Sequence, residues 1–377
     1  MNNNGYSGNK HYDVIVVGAG PAGLGVSILL QKLGIDYIIL EKKSIGASFR
    51  KWPKETRFIS PSFTGNFFMM PDLNAISPET SPAFELLTEH PTGNEYADHL
   101  ESVSKHFQLK VETNVSVKNI ENIGGYFNLD TNNGMYTSTS VIWAAGEYQY
   151  PKTGSFEGEH LCNHYSEVDS FSDVLGKESV VIGAYESGFD AAVNLMNLGK
   201  KVTLFDDFHY LEWVKSDSSY SLSPYTRDRI KDVIDGIDYH METRVEKVEF
   251  INAKYKITTD DGRTFTSDDE PINCTGFDTS LTLVKELFDF EEGYPLLTGF
   301  DESRKTENLY LVGPQVKHGN ALFCFIYKYR QRFAIVAERI AKSNKISYDK
   351  IKEVLHDYKN NNFYMKDLSC CDGECVC

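Results

Sequence analysis

The chain has 377 residues and a formal net charge of −16, with 41% of residues hydrophobic, 22 tyrosines and 23 phenylalanines. That is enough apolar material for two or three globular domains. The acidic balance excludes nucleic acid and anionic membrane surfaces as partners, because either contact is repulsive, and no run is long enough to cross a bilayer.

Residues 1–10, MNNNGYSGNK, lack the charged and apolar regions of a signal peptide and read as a disordered leader. The expected location is the cytoplasm, where isolated thiols stay reduced. Cys162, Cys274 and Cys324 are far apart in the chain and read as buried small hydrophobes.

The first element is an apolar strand over Asp13–Val17, followed at once by Gly18-Ala-Gly20-Pro21-Ala22-Gly23. A helix is predicted from Pro21 to Leu33, closed by Gly34, where left-handed backbone favours glycine. A second strand, Tyr37–Leu40, ends on Glu41 and Lys42. In this order the glycines have mechanical roles: Gly18 makes the tight turn, Gly20 lets a pyrophosphate approach backbone N–H groups, and Gly23 permits close helix–strand packing. Glu41 is placed to accept hydrogen bonds from ribose hydroxyls. Strand, glycine loop, helix, strand and acid together predict a dinucleotide site.

The pattern then recurs. In ESVVIGAYESGFDAAVNLMNLGKKVTLFDD, Gly18, Gly23, Gly34 and Glu41 find counterparts in Gly183, Gly188, Gly199 and Asp206, all at one offset. Tyr185 stands where the first loop has Gly20, with Glu186 and Ser187 after it. Each unit is followed by alternating strands around an Asn-Asn-Gly or Asp-Asp-Gly turn, one ending on Ala145 and Gly146 and the other on Gly276. Between them His160, Cys162 and His164 have strand-like spacing that would put them on one face; a polar linker at the domain junction is preferred to a metal site. NLYLVGPQ, containing Gly313, is a further buried strand, and ALFCFIYKYRQRFAIVAERIAKS (321–343) has helical apolar periodicity. The expected fold is α/β: two Rossmann-like dinucleotide-binding domains, each with a β-meander, the second inserted into the first. The first covers 11–150 plus 300–362, the second 151–299, and 363–377 is a cysteine-rich tail expected to be mobile.

This layout resembles the two-dinucleotide-binding-domain flavoproteins, and within them the flavin-containing monooxygenase-like branch, which includes flavoproteins associated with cation efflux. VIWAAG (141–146) and LYLVGP (309–314) are similar to that family's later FAD-contacting strands, although Pro314 replaces its usual acidic residue. GASFRKWP, with Trp52, resembles the segment placed beside the flavin ring, and NCTGF (273–277) the family's Ala-Thr-Gly-Tyr stretch. The monooxygenase fingerprint is met by Phe156 and Gly158, with Cys162 where its histidine belongs. The related bacillithiol disulfide reductase-like proteins carry a cysteine in the first loop where this chain has Ala22, and the paired flavin-side cysteines of thioredoxin-reductase-like enzymes are absent from residues 1–369.

The resemblance implies FAD in the first unit and NADH or NADPH in the second, with hydride passing to the flavin. Asp206 favours NADH, since a carboxylate there repels the extra phosphate of NADPH. Tyr185 either reshapes its loop or gates access to the flavin, the former being preferred. The implied function is a monooxygenase-like oxidoreductase that oxygenates or reduces a small-molecule substrate, possible homodimerisation included; no catalytic acid or base stands out. The tail, LSCCDGECVC, has four thiols, Cys370, Cys371, Cys375 and Cys377, close enough to hold one thiophilic metal or metalloid ion. Its LSCC is similar to the C-terminus of mercuric reductase. The alternatives are a thiol or soft-metal reductase using the tail as carrier, and a metal-binding or redox-sensing flavoprotein with little turnover.

Overall fold

The computed structural model describes residues 10–63, 72–215 and 217–372, apart from the side chains of Lys10, Cys370 and Asp372. The expected leader up to residue 9, together with Cys375 and Cys377, lies outside the described residues. Among the described residues no helix is long and apolar enough to cross a membrane.

Two sheets organise the chain, the first mixed and the second parallel. In the first, strands run in the order β3 (Val111–Glu112), β2 (Tyr37–Leu40), β1 (Lys10–Val17), β6 (Gly134–Trp143), β5 (Tyr126–Thr131), β4 (Val117–Ile123), with β17 (Leu309–Leu311) beside the end of β6. β1 is longer than the predicted Asp13–Val17, because its polar start at Lys10–Tyr12 pairs with Tyr136–Ser138 of β6, a partner invisible to local periodicity. Helix α1 (Pro21–Leu33) ends as expected at Gly34, whose φ of 76° is left-handed. Helices α2 (Pro82–Leu86) and α3 (Gly93–Phe107) follow, and a Thr92–Glu95 capping box starts α3.

The second sheet is parallel throughout: β10 (Asp238–His240), β9 (Lys201–Phe205), β8 (Glu178–Ile182), β14 (Ile272–Asn273), β7 (Asn163–His164). Helices α4 (Glu186–Asn197) and α5 (Pro224–Lys231) belong to this unit. Its meander, β11 (Val245–Ile251), β12 (Lys254–Thr259) and β13 (Thr264–Ser267), forms a separate antiparallel sheet. The first meander differs: β6 is both its last strand and a central core strand, so meander and core are one sheet.

Two ribbons, β15 (Phe290–Glu291) with β16 (Tyr294–Pro295) and β18 (Lys317–His318) with β19 (Ala321–Leu322), precede α6 (Ile326–Ser343) and α7 (Tyr348–Asn360). Helical periodicity from residue 321 thus overreaches: the apolar residues Ala321 and Leu322 pair in the hairpin instead. α1 and α6 pack so closely that a Cβ on Gly25 would sit 2.2 Å from the ring of buried Phe333. Next to Phe333 on α6, Arg332 forms a fully buried ion pair with Asp301. Leu281, Val284, Phe288 and Leu297, which a boundary at residue 299 assigns to the second unit, pack into the core of the first.

Two further expectations are corrected. Glu159–Leu161 is a 3-10 turn, so His160, Cys162 and His164 do not share a strand face; His164 instead bonds the Gly276 carbonyl at 3.0 Å. The tail packs on the first unit through Phe363 and Cys371. Phe363 is fully buried, the Arg330 guanidinium stacks over its ring at 4.2 Å, and Cys371 is 2% exposed within the core of the first unit.

Candidate active site

β1 and α1 meet at the glycine loop, and a cavity of about 450 Å³ opens there. Gly18, Gly20, Pro21, Ala22, Glu41, Lys42, Trp52, Ala145, Gly146, Glu186 and Ser187, all expected to bind cofactor, line it. Gly23, Gly183, Tyr185, Gly188, Asp206, Gly276 and Gly313 do not. Gly23 has a packing role: a Cβ there would lie 1.9 Å from the Gly18 carbonyl oxygen. Gly20 is the reverse, since a Cβ there would meet nothing within 4 Å, which leaves space against the loop backbone.

Two helices aim bare N-termini into this cavity. α1 has Gly20 and α6 has Phe325 at the N-cap; neither receives a side-chain cap, and neither has an acid in its first turn. Such ends carry partial positive charge and unsatisfied N–H groups. Glu41, 6% exposed, accepts hydrogen bonds from Ala19 N at 2.8 Å and Lys43 N at 2.7 Å. Burial raises its pKa, and those bonds with nearby Lys43 and Lys42 work against the shift. Phe49, Trp52 and Phe58 form an aromatic wall with ring centroids 4.9 to 5.4 Å apart. A helix N-terminus for a pyrophosphate, a carboxylate for a ribose, open glycine positions and an aromatic wall fit FAD.

The second loop keeps the same backbone. A Cβ on Gly188 would lie 1.8 Å from the Gly183 oxygen, the counterpart of the Gly23–Gly18 approach. Its side chains are otherwise engaged. The Tyr185 hydroxyl donates to the Ser221 carbonyl at 3.0 Å. The Glu186 carboxylate accepts from Ser223 N at 2.5 Å, Ser223 Oγ at 3.2 Å and Thr226 Oγ1 at 2.6 Å. Asp206, expected to bind ribose, is fully buried; it accepts from Phe208 N, Tyr210 N and the Tyr239 hydroxyl and does not reach the cavity. As it stands, the polar side chains of this loop are paired with the chain's own groups.

Two cavity residues escaped the sequence reading. Glu147 is partly buried, accepts no hydrogen bond at its carboxyl from a described residue, and has its pKa pushed up to about 7 by burial. Its position right after Gly146, at the end of a core strand, was the available signal. Cys324 lies at the mouth of α6, with its sulfur 3.1 Å from Ser219 Oγ. Ser219 donates its one proton to Leu322 O and accepts from Lys328 Nζ, so Cys324 is the donor and rests as a neutral thiol. Burial pushes its pKa up to about 11, with the positive charge of Lys328 offsetting part of the effect. No group of three or more metal-ligating side chains occurs among the described residues.

Comparison with known proteins agrees with this architecture. The pyridine nucleotide-disulphide oxidoreductase family model matches residues 15–313. Bacilliredoxin reductase Bdr of Bacillus subtilis is 23% identical over 87% of this chain and 97% of its own length. The mouse FAD-dependent oxidoreductase domain-containing protein 2 is 24% identical over 80% of this chain, which spans about half (53%) of that protein. An uncharacterized CzcO-like oxidoreductase of Geobacillus kaustophilus is 28% identical over 51% of this chain and 56% of its own length. Among solved structures, bacillithiol disulfide reductase Bdr of Staphylococcus aureus superposes with a TM-score of 0.71 at 21% identity, over 89% of this chain and 99% of that one. A flavin-containing monooxygenase of Stenotrophomonas maltophilia gives 0.66 at 16% identity, over 89% and 99%. The glycine loops, the two sheets and these matches lead to one conclusion: the chain belongs to the pyridine nucleotide-disulphide oxidoreductase family, as an FAD-dependent NAD(P)H oxidoreductase.

Proposed function

We propose that this oxidoreductase passes electrons from FAD directly to a small substrate, oxygenating or reducing it as the monooxygenase-like relatives suggest, without a protein disulfide as intermediary. The observation that supports this reading is the state of Cys324. It is the one cysteine among the described residues that lines the cavity, and it rests as a partly buried, neutral thiol with no second cysteine lining the cavity beside it. A neutral thiol is a poor nucleophile for disulfide exchange. FAD, when bound, supplies the two-electron chemistry. The chain's residues do the rest: Glu41 and the α1 N-terminus hold the nucleotide, Phe49, Trp52 and Phe58 exclude water, and Glu147 can store or release a proton near neutral pH.

A second reading, a reductase with the tail as electron carrier, draws on one contact. Asn320 N donates to the Cys371 carbonyl at 2.7 Å, which docks the tail on the hairpin that leads into Cys324. Anaerobic dithionite titration of the oxidised, FAD-loaded protein separates the two. Direct transfer predicts one electron pair taken up per FAD, both in the wild type and in a variant with Cys370, Cys371, Cys375 and Cys377 all changed to serine. A second pair taken up only by the wild type would establish the relay and sink the direct reading.

A further inference from the structure

We propose that Glu186 is a built-in competitor for the pyrophosphate of a nicotinamide dinucleotide, so that the second unit holds NAD(P)H weakly although it keeps the backbone of a dinucleotide loop. The inference stands on the contrast between two equivalent loops in one chain and is independent of the substrate.

In the first loop the residue after the N-cap is Pro21, and the α1 N-terminus is free of acids and side-chain caps. In the second it is Glu186, the first residue of α4. An anion in the first turn of a helix satisfies the same partial charge and N–H groups that a phosphate would use. Glu186 is fixed there from a second side. α5 begins with Ser223 as its N-cap, and Ser223 N, Ser223 Oγ and Thr226 Oγ1 all donate to the Glu186 carboxylate. The carboxylate carried by the first turn of α4 thereby lies against the N-terminus of α5.

Two neighbours reinforce the arrangement. Tyr185 replaces the glycine that would let a pyrophosphate approach, and its hydroxyl ties the loop to Ser221, drawing the 219–223 segment across it. Asp206, the residue that would bind ribose, spends its carboxylate on Phe208, Tyr210 and Tyr239. A dinucleotide bound in the usual way therefore meets like charge in the first turn of α4 and finds the ribose-binding carboxylate already engaged. Three independent substitutions or contacts oppose the same ligand at one loop.

The experiment is isothermal titration of NAD⁺ and NADP⁺, which cannot reduce the flavin, into the oxidised FAD-loaded full chain. The wild type is expected to bind both with Kd weaker than about 1 mM, the upper end of ordinary substrate constants. Glu186→Gln, which removes the charge and keeps the shape, is expected to tighten binding at least about tenfold. Should that variant fail to retain FAD, Tyr185→Gly with Glu186→Pro copies the Gly-Pro pair of the first loop, and the same tightening is expected of it. Wild-type binding in the low micromolar range overturns the proposal whatever the variants do. So does a folded, FAD-loaded variant whose affinity stays at the wild-type value.

Discussion

Gly23 and Gly20 stand in opposite surroundings three residues apart: a Cβ on Gly23 would lie 1.9 Å from the carbonyl oxygen of Gly18, while one on Gly20 would meet nothing within 4 Å. The first glycine is required by the fold and the second by the ligand. Gly23→Ala is expected to force β1 and α1 apart, lowering Tm by several degrees and giving little FAD-loaded protein. Gly20→Ala is expected to leave the Tm of the apoprotein unchanged and to weaken FAD binding at least about tenfold, because its methyl group takes the space a pyrophosphate needs. Equal losses of stability in the two apoproteins would refute the division of roles.

Asp301 is paired inside the first unit with Arg332, whose Nε and Nη2 reach its oxygens at 3.0 and 2.8 Å, and with His318 Nε2 at 2.6 Å. Burial alone would push this carboxyl up, but Arg332 and His318 outweigh it and hold it below the usual range. Its contribution to stability is therefore present above the unfolded carboxylate pKa and is lost as pH falls through the lower folded value. Asp301→Asn leaves a buried guanidinium without its counter-charge and is expected to cost about 3–5 kcal/mol near neutral pH. Urea denaturation at pH 7 checks the magnitude.

Glu147 shows the opposite behaviour. With its carboxyl pushed up to about 7, the folded protein keeps a proton that the unfolded chain releases at a lower pH. The associated stability is fully present below the unfolded carboxylate pKa and disappears as pH rises through about 7. Glu147→Gln is therefore expected to raise Tm relative to wild type at about pH 8 and to leave it near wild type at about pH 5. A difference that does not change with pH would show that Glu147 titrates as an ordinary surface carboxylate.

Cys324, with its pKa pushed up to about 11, carries roughly 100-fold less thiolate at neutral pH than an unperturbed thiol. Iodoacetamide labelling of the native protein, read by peptide mapping, should modify Cys324 far more slowly than it does in urea. Its native rate should keep rising with pH to the alkaline limit of the fold. Rapid labelling at pH 7 would mean that the Ser219 contact does not hold the proton, and it would favour the thiol-relay reading.

The first nucleotide loop could be read directly from residues 12–41, because the turn, the helix start and the left-handed Gly34 each depend on residues a few positions apart. The repeat was legible for the same reason, as were the meanders, whose turns and alternation are local. What the sequence could not show is which partner each side chain finds across the fold. Asp206 occupies the ribose-binding position of the pattern, yet Tyr239 and the backbone of Phe208 and Tyr210 claim its carboxylate. Glu186 meets Ser223 and Thr226 only after a strand and a long connection have been folded back. The polar surroundings of Cys371 predict a mobile tail end, but a core provided by other segments covers it. The sequence by itself determined the elements and the two loops, since short-range geometry limits them. Only the tertiary structure decided that the acids of the second loop are engaged by the chain itself, because their hydrogen-bond donors are distant in sequence.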